Sequence, residues 1–98
     1  MVEQGDIIKI EGIGHMALVI SKGSYNESGM AVVCPMTNKK TGSTFEVEIS
    51  VDDVAMYVAS DAVRQIDVES RSYRKVGRVP YRKLIYVIDM AQSVMDYF

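Results

Sequence analysis

The side chain best suited to proton transfer in this chain is its one histidine, His15. Imidazole is the only side chain whose ordinary pKa lies near neutrality, so it serves as a general acid or base without a metal. His15 follows Gly14 and directly precedes the apolar run 16–20. This order predicts a position where a buried strand begins beside a groove. The alternative is a hydrogen-bonded histidine at a strand start that takes no part in chemistry.

The cations of the chain are concentrated between residues 64 and 83. That segment carries seven Arg and Lys against two Asp and Glu, a charge of +5, whereas the remainder carries four against eleven, a charge of −7. The formal net charge of −2 therefore conceals a basic segment within an acidic chain. Such an asymmetry indicates an anionic partner, and a solvated surface is the plain alternative.

Motifs that bind metals or cofactors are absent from the sequence. It lacks Cys-x-x-Cys, His-Glu-x-x-His, a Gly-rich phosphate loop before a helix, and Gly-x-Ser-x-Gly. One His and one Cys fall short of the four ligands of structural zinc. Cys34 has no partner for an internal disulfide and stands among apolar neighbours, as inert core in a reducing cytoplasm would. We expect no metal, no cofactor and a cytoplasmic location.

The size and composition of the chain predict a single domain spanning 1–98. A chain of 98 residues with 48% hydrophobic content has enough apolar surface for one core. Its charged fraction of 24% is that of an ordinary globular protein and excludes disorder of the whole chain. Its apolar runs are far shorter than the roughly 20 residues of a membrane span, and no secretory signal precedes them.

Up to residue 79 the chain is patterned as strands. Short β-branched or alternating segments are separated by Gly, Asn and Ser, which is typical of strands and turns. The unbroken apolar run at 16–20 predicts a strand buried on both faces. The segment 38–43 predicts a hairpin-like loop, and 60–62 a bend or bulge. The predicted strands are 6–10, 16–21, 30–36, 45–49, 54–59, 63–68 and a short last one at 75–79.

After Pro80 the apolar period becomes that of a helix, and Pro80 suits its first turn. This apolar stripe, widened by Val87 and Val94, is predicted to pack on the strands. The chain is therefore expected to be mostly β, of the α+β class, with about six strands in a small half-open barrel and a C-terminal amphipathic helix. The stripe consists of Leu84, Ile88, Ala91, Met95 and Phe98.

Five short blocks of sequence follow one another in a specific order. They are Gln4-Gly5-Asp6-Ile7-Ile8, Gly14-His15-Met16-Ala17-Leu18-Val19-Ile20-Ser21, Val33-Cys34-Pro35-Met36-Thr37, Phe45-Glu46-Val47 and Ser60-Asp61-Ala62-Val63-Arg64-Gln65-Ile66-Asp67. In type and order they resemble the MazF/PemK/Kid family. The resemblance implies an SH3-like barrel that forms a homodimer. It also implies the toxin half of a type II toxin–antitoxin pair, an endoribonuclease (mRNA interferase) that cuts single-stranded RNA without a metal. The RNA groove would also bind the acidic tail of a cognate antitoxin.

Two departures from that family lie close to His15. The family's Gly-x-Arg-Pro is replaced by Gly14-His15-Met16-Ala17, so that Met16 stands in place of an arginine that contacts the scissile phosphate in the family. The first loop is also short, with only residues 11–14 between Ile10 and His15. The resemblance therefore leaves the arginine's role to be filled by another residue.

The resemblance also indicates which residues would carry catalysis. Thr37 matches a threonine that donates a hydrogen bond to phosphate, and Asp61 matches a carboxylate that some members use as a base. Arg64 is the candidate to replace the missing arginine, because a guanidinium forks onto phosphate oxygens. With His15, these residues are predicted to support attack by the RNA 2′-hydroxyl. The plain alternatives are a strand-end threonine and a bend aspartate.

Five residues are predicted to bind the RNA strand. Lys39 and Lys40 follow Thr37 and are placed to track the phosphate backbone, although solvated loop lysines are common. The run Tyr73-Arg74-Lys75 mixes an aromatic with cations, a pattern typical of base stacking beside phosphate contacts. For the tyrosine, ordinary packing at the barrel edge is the alternative.

A competing function class is a catalytically impaired binding module. It would keep the SH3-like scaffold and bind a protein or an RNA without cleaving it. The replacement by Met16 and the short loop motivate this alternative. Convergence of the four candidate catalytic side chains on one phosphate-sized region would favour the enzyme.

Overall fold

Seven strands and two helices make up the computed structural model, which describes residues 1–95. This strand-rich body followed by one long helix confirms the predicted mostly-β, α+β class. The elements are β1 (Asp6–Ile10), β2 (Met16–Val19), α1 (Gly23–Asn26), β3 (Met30–Thr37), β4 (Glu46–Val51), β5 (Val54–Ala59), β6 (Arg64–Asp67), β7 (Tyr73–Arg78) and α2 (Tyr81–Ser93).

The strands form one antiparallel sheet that curls into a half-open barrel. Its order is β4-β5-β3-β2-β1-β7, and β6 pairs with β3 outside that path. β5 pairs with the end of β3, at Met36 and Thr37, whereas β6 pairs with its beginning, at residues 30–33. The chain must turn a corner between β5 and β6, and this corner is the bend predicted at 60–62.

The connections on either side of β4 differ from the prediction. The segment 38–43 is not a hairpin loop, because β5 lies between the strands β3 and β4 that the segment joins. The hairpin joins β4 to β5 instead, through Asp52 and Asp53 with φ of 51° and 65°. Aspartate tolerates this left-handed region and is common in two-residue hairpin turns. The helix α1 was also not predicted, since four residues carry no helical period.

Strand β2 is buried on both faces, as its unbroken apolar run predicted, and most residues of β1 and β3 are buried or partly buried as well. Their alternate side chains enter two different clusters because successive residues of a strand point to opposite faces. The cluster on the α2 side includes Ile7, Leu18, Cys34 and Met36, together with Val58 of β5. The cluster on the other face includes Ile8, Ile10, Ala17, Val19 and Val33.

Helix α2 covers the first of these faces. Leu84, Val87 and Ala91 are buried, and the first two join the core beside the apolar residues of β4. Val94 and Met95 are 48% and 71% exposed, so the prediction that they pack on the strands was wrong. The reason is that the helix ends at Ser93, before either residue. The predicted last member, Phe98, lies outside the described residues.

A buried carboxylate ties the N-terminal segment to β7. Asp6 is 1% exposed, and its Oδ1 accepts a hydrogen bond of 2.7 Å from Arg78. Its Oδ2 lies 3.2 Å from Nζ of Lys75 and accepts the Glu3 backbone N–H at 2.8 Å. Two cations of the basic segment are therefore neutralised within the fold itself.

Candidate active site

Three hollows meet around Pro35 and Thr37, at the end of β3. The first, of about 440 Å³, contains His15 and Thr37. The second, of about 280 Å³, contains Thr37, Pro35 and Asp61. The third, of about 310 Å³, contains Pro35, His15 and Arg64. Each pair of hollows shares one of these lining residues, so the three hollows adjoin one another, and together they are called here the rim site.

The strand register explains why the four candidate catalytic residues share this surface. Met16 pairs with Met36, so that His15 just before β2 and Thr37 at the end of β3 lie at the same end of the sheet. Arg64 pairs with Val33, two residues before Pro35 on β3. Asp61 occupies the corner between β5 and β6. Antiparallel pairing to β3 thus gathers residues from three separate parts of the chain.

His15 is exposed, and its ring makes one hydrogen bond. Nδ1 lies 3.1 Å from the backbone carbonyl oxygen of Met16. A carbonyl oxygen only accepts, so Nδ1 carries a hydrogen and donates it. Nε2 is therefore the ring atom left to exchange a proton with a substrate.

The hydroxyl of Thr37 is held by the loop that follows it. Its Oγ1 donates to the backbone carbonyl of Lys39 at 3.3 Å, at the long end of the hydrogen-bond range. The residue is exposed and pairs in register with Tyr57 of β5. A bond this long is readily exchanged for a shorter one to a charged phosphate oxygen.

Asp61 and Arg64 flank the corner between β5 and β6 and are both exposed. Within residues 1–95 neither side chain takes part in an ion pair. Both charges are thus available to a ligand.

Burial, and secondly the charge of Asp61, raises the pKa of the Cys34 thiol to about 11. Cys34 is fully buried and protonated at neutral pH, in agreement with its predicted place in an inert core.

The loop carrying Lys39 and Lys40 is fastened by Glu46, the first residue of β4. The Glu46 carboxylate accepts the backbone N–H of Thr41 at 2.7 Å, the Thr41 hydroxyl at 2.8 Å and the Gly42 N–H at 3.3 Å. These bonds, the Thr41 backbone N–H first, lower the pKa of Glu46. Lys39 lines the first hollow, with His15 and Thr37.

The predicted residues of β7 lie elsewhere. β1 and β2 separate β7 from β3, and Tyr73, Arg74 and Lys75 line none of the three hollows of the rim site. Lys75 is held by Asp6. Tyr73 packs on the second core cluster and lines a separate groove with Arg74.

Three residues near the candidate set were not singled out from the sequence. Lys9 lines the hollow of His15, whereas Tyr57 and Glu46 line the hollow of Asp61. A signal for Lys9 existed, since it is the one charged residue within an otherwise apolar stretch at 7–10. No such signal marked Tyr57, because its position beside the hollow of Asp61 depends on the pairing of β5 with β3, which are distant in sequence.

Met16 cannot take the role of the arginine that it replaces. Its thioether carries no charge, and the side chain is partly buried against the core cluster on the α2 side. The neighbouring His15 is exposed and lines a hollow with Arg64.

Within residues 1–95, no three His, Cys, Asp or Glu side chains stand close enough to hold a metal ion together. Neither helix of that range is long and apolar enough to span a membrane.

Comparison with known proteins assigns the chain to a family. Residues 3–94 match the profile of the PemK-like, MazF-like toxin of type II toxin-antitoxin system. Among curated proteins, the endoribonuclease toxin ChpB of Escherichia coli (strain K12) is 28% identical over 90 residues, covering 76% of this chain and 78% of that protein.

Solved structures of similar fold come from Deinococcus radiodurans. Its MazE-MazF crystal structure (Form-I) superposes with a TM-score of 0.87 and 28% identity, covering 96% of this chain and 95% of that one. Its MazF structure (Form-I) gives a TM-score of 0.85 and 25% identity, covering 96% of both chains. A mycobacterial endoribonuclease in complex with its cognate antitoxin shares the fold at 17% identity, with a TM-score of 0.78, covering 96% of this chain and 97% of that one.

Proposed function

Because the chain belongs to the PemK-like, MazF-like toxin family of type II toxin-antitoxin systems, we propose that it is a metal-independent endoribonuclease acting on single-stranded RNA. The related ChpB toxin is itself named an endoribonuclease. The observation that carries the proposal is the rim site. His15 and Arg64 line one hollow, Thr37 and Asp61 line the next, and Pro35 belongs to both.

Cleavage would proceed by attack of the RNA 2′-hydroxyl on the adjacent phosphorus. An ionised carboxylate can only accept a proton, so Asp61 takes the proton of the 2′-hydroxyl as the new O–P bond forms. The bond from phosphorus to the 5′-oxygen then breaks, and His15 in its imidazolium form, with a hydrogen on both ring nitrogens, donates the proton of Nε2 to that oxygen. The products are a 2′,3′-cyclic phosphate and a free 5′-hydroxyl, and no water molecule is consumed.

Negative charge develops on the phosphate oxygens during this step. Arg64 supplies a planar guanidinium that can bind two of these oxygens, and Thr37 supplies a hydroxyl donor. Lys39 and Lys40, on the loop fastened by Glu46, guide the strand into the first hollow. Tyr73, Arg74 and Lys75 of β7 would contact RNA only outside the rim site, and Lys75 would first have to leave Asp6.

The proposal is tested with the purified protein and a mixed-sequence single-stranded RNA in EDTA. We expect cleavage that leaves 2′,3′-cyclic phosphate ends. Arg64→Ala should lower the rate about 10²-fold or more, as loss of a transition-state donor does. Arg82→Ala removes the same side chain from an exposed position on α2 and should behave as wild type. Intact RNA at every excess of protein would contradict the proposal.

A second candidate function is a binding module that keeps the scaffold without cleaving. It is favoured by Met16, whose side chain supplies no positive charge and is partly buried on the α2 side. Such a protein would retain the charged rim site as a surface for RNA or for an acidic peptide. Stoichiometric RNA binding without any product, in the same assay, would establish it.

The partners follow from the same family membership. The Deinococcus radiodurans structure contains MazE with MazF, and we propose that this chain binds a cognate antitoxin through an acidic tail. The exposed cations Lys39, Lys40 and Arg64 would attract such a tail. A homodimer, a single domain over residues 1–98 and a cytoplasmic location belong to the same proposal. Light scattering of the purified protein measures its oligomeric state.

A further inference from the structure

A groove of about 370 Å³ lies where the β1–β2 turn meets the start of β7. Its walls are formed by residues 9–13 on one side and 72–74 on the other. Lys9 and Arg74 occupy directly opposite positions on β1 and β7, and both are exposed. This surface is called the Lys9–Arg74 groove.

Neither cation of this groove is paired with a carboxylate of the described residues, whereas the next cations along β7 are paired. One residue further along β7, Lys75 pairs with Asp6, and Arg78 pairs with Asp6 and Glu3. Within residues 1–95, by contrast, no carboxylate oxygen lies within ion-pair distance of Lys9 or Arg74. Like charges on directly opposite residues destabilise a sheet. A bound anion between them would offset this repulsion.

One carboxylate does line the groove, that of Glu11. The backbone of Glu11 is fixed, since its N–H donates to the Ser72 carbonyl at 2.9 Å, but its carboxylate forms no ion pair with either cation. It can turn toward solvent when an anion enters. The groove thus keeps a positive pair beside the half-buried ring of Tyr73.

The Lys9–Arg74 groove adjoins the rim site, because the two share Lys9. Lys9 also lines the hollow that contains His15, Thr37 and Lys39. A chain of anions that leaves this hollow past His15 meets Lys9 next and then Arg74. Spaced cations of this kind are typical of proteins that follow a nucleic-acid backbone.

We propose that Lys9 and Arg74 bind the phosphodiester backbone of the RNA beyond the nucleotides held in the rim site. This inference rests on the proposed function and gives a role to Lys9, which was not among the residues predicted to bind RNA. RNA is the occupant we infer because the groove shares Lys9 with the hollow in which the RNA is proposed to be cut, so that a strand leaving this hollow reaches the groove.

The test measures KM and kcat for the cleavage of RNAs of different length by wild type and by the double variant Lys9→Ala/Arg74→Ala. One RNA just spans the cleavage sequence, and two others extend it at the 5′ or the 3′ end. We expect the variant to raise KM about tenfold for one of the extended RNAs and clearly less for the minimal RNA, because only Lys9 of the two residues also lines the rim site, with kcat unchanged for both. The salt dependence of binding should weaken by about 0.7 in log–log slope for each phosphate that the variant no longer binds.

The control variant Lys22→Ala/Arg82→Ala removes the same two kinds of charge from exposed positions that line neither site. It should leave every KM unchanged. The melting temperature of Lys9→Ala/Arg74→Ala should equal or exceed that of wild type, because a repulsive pair is removed. Equal effects on minimal and extended RNA, or no effect on either, would overturn the inference.

Binding of a non-cleavable RNA keeps the result independent of catalysis. In this RNA the nucleotide that supplies the attacking hydroxyl is 2′-deoxy. The double variant should bind its extended form about tenfold more weakly, measured by fluorescence anisotropy, even if the wild type proved unable to cleave. Weakened binding of a polyglutamate peptide with unchanged RNA binding would assign the groove to an acidic protein partner instead and refute the proposal.

Discussion

At the scale of single residues, the proposed mechanism assigns proton transfer and charge stabilisation to different side chains of the rim site. His15 has one ring nitrogen committed to the Met16 carbonyl and one left free. Asp61 and Arg64 carry opposite charges on the two sides of the corner after β5, and neither is consumed by an internal ion pair in residues 1–95. On these grounds we propose Asp61 as the base and His15 as the acid, with Arg64 to stabilise the phosphate.

The acid role of His15 has a specific chemical test. His15→Ala should slow cleavage of ordinary RNA by about 10²–10⁴-fold. An RNA with sulfur in place of the bridging 5′-oxygen should restore most of that rate, since a thiolate leaves without a proton. Asp61→Asn should slow both substrates alike, because the attacking hydroxyl still needs a base. Single-turnover rates measure this, and an equal loss for His15→Ala on both RNAs would remove it as the acid.

At the scale of secondary-structure elements, the loop between β3 and β4 depends on one side chain. It crosses the end of β5 and carries Lys39 and Lys40. Three of its hydrogen bonds go to the carboxylate of Glu46. The position of both lysines therefore depends on β4, an edge strand that has no direct pairing with β3.

Glu46→Ala should loosen this loop without disturbing the catalytic groups. We expect KM for RNA to rise about fivefold with kcat little changed, since binding common to ground and transition states is lost. Glu48→Ala is the matched control, two residues along the same strand, with a side chain that makes no hydrogen bond within residues 1–95. A fall in kcat alone would contradict a role limited to positioning.

The hydrogen bonds of the Glu46 carboxylate also contribute to folding stability, and this contribution depends on pH. The pKa of Glu46 is lowered in the folded protein from its ordinary value of 4.5, so its stabilising effect is present above that value. It is lost as the pH falls through the lower folded-state pKa. The difference in urea midpoint between wild type and Glu46→Ala should therefore shrink on acidification, whereas Glu48→Ala should show no such change.

At the scale of the whole molecule, the basic segment is not one patch. Arg64 lies in the rim site and Arg74 in the Lys9–Arg74 groove, whereas Lys75 and Arg78 neutralise the buried Asp6. The charge of +5 along the sequence thus divides between ligand surfaces and the fold. Asp6 pairs with Arg78, which lies 72 positions further along the chain, at the edge of the curled sheet.

Asp6→Asn should destabilise the protein by about 2 kcal/mol. It removes the charge that two cations share and weakens a buried hydrogen bond to Arg78. Glu3→Gln breaks the exposed pair with the same arginine at 3.3 Å and should cost less than about 0.5 kcal/mol. Urea unfolding measures both, and equal costs would show that burial of Asp6 adds nothing.

Much of the architecture was predictable because its signals are local. The strand at 54–59 and the change to a helical period after Pro80 were predicted from the order of neighbouring residues alone, and both elements occur where they were predicted. The family assignment from five sequence blocks is confirmed by the match over residues 3–94. The hairpin predicted at 38–43 was wrong because strand order is not a local property.

The sequence by itself determined the strands, the helix, the family and a candidate catalytic set. Only the tertiary structure decided which of these residues meet. β3 pairs with β5 and β6 along one edge, and this brings Asp61 and Arg64 to the side chains at the end of β2 and β3. It also placed Lys9 opposite Arg74 while giving Lys75 to Asp6. The physical reason is that charge compensation depends on strand register between distant segments, whereas hydrophobic period depends on adjacent residues.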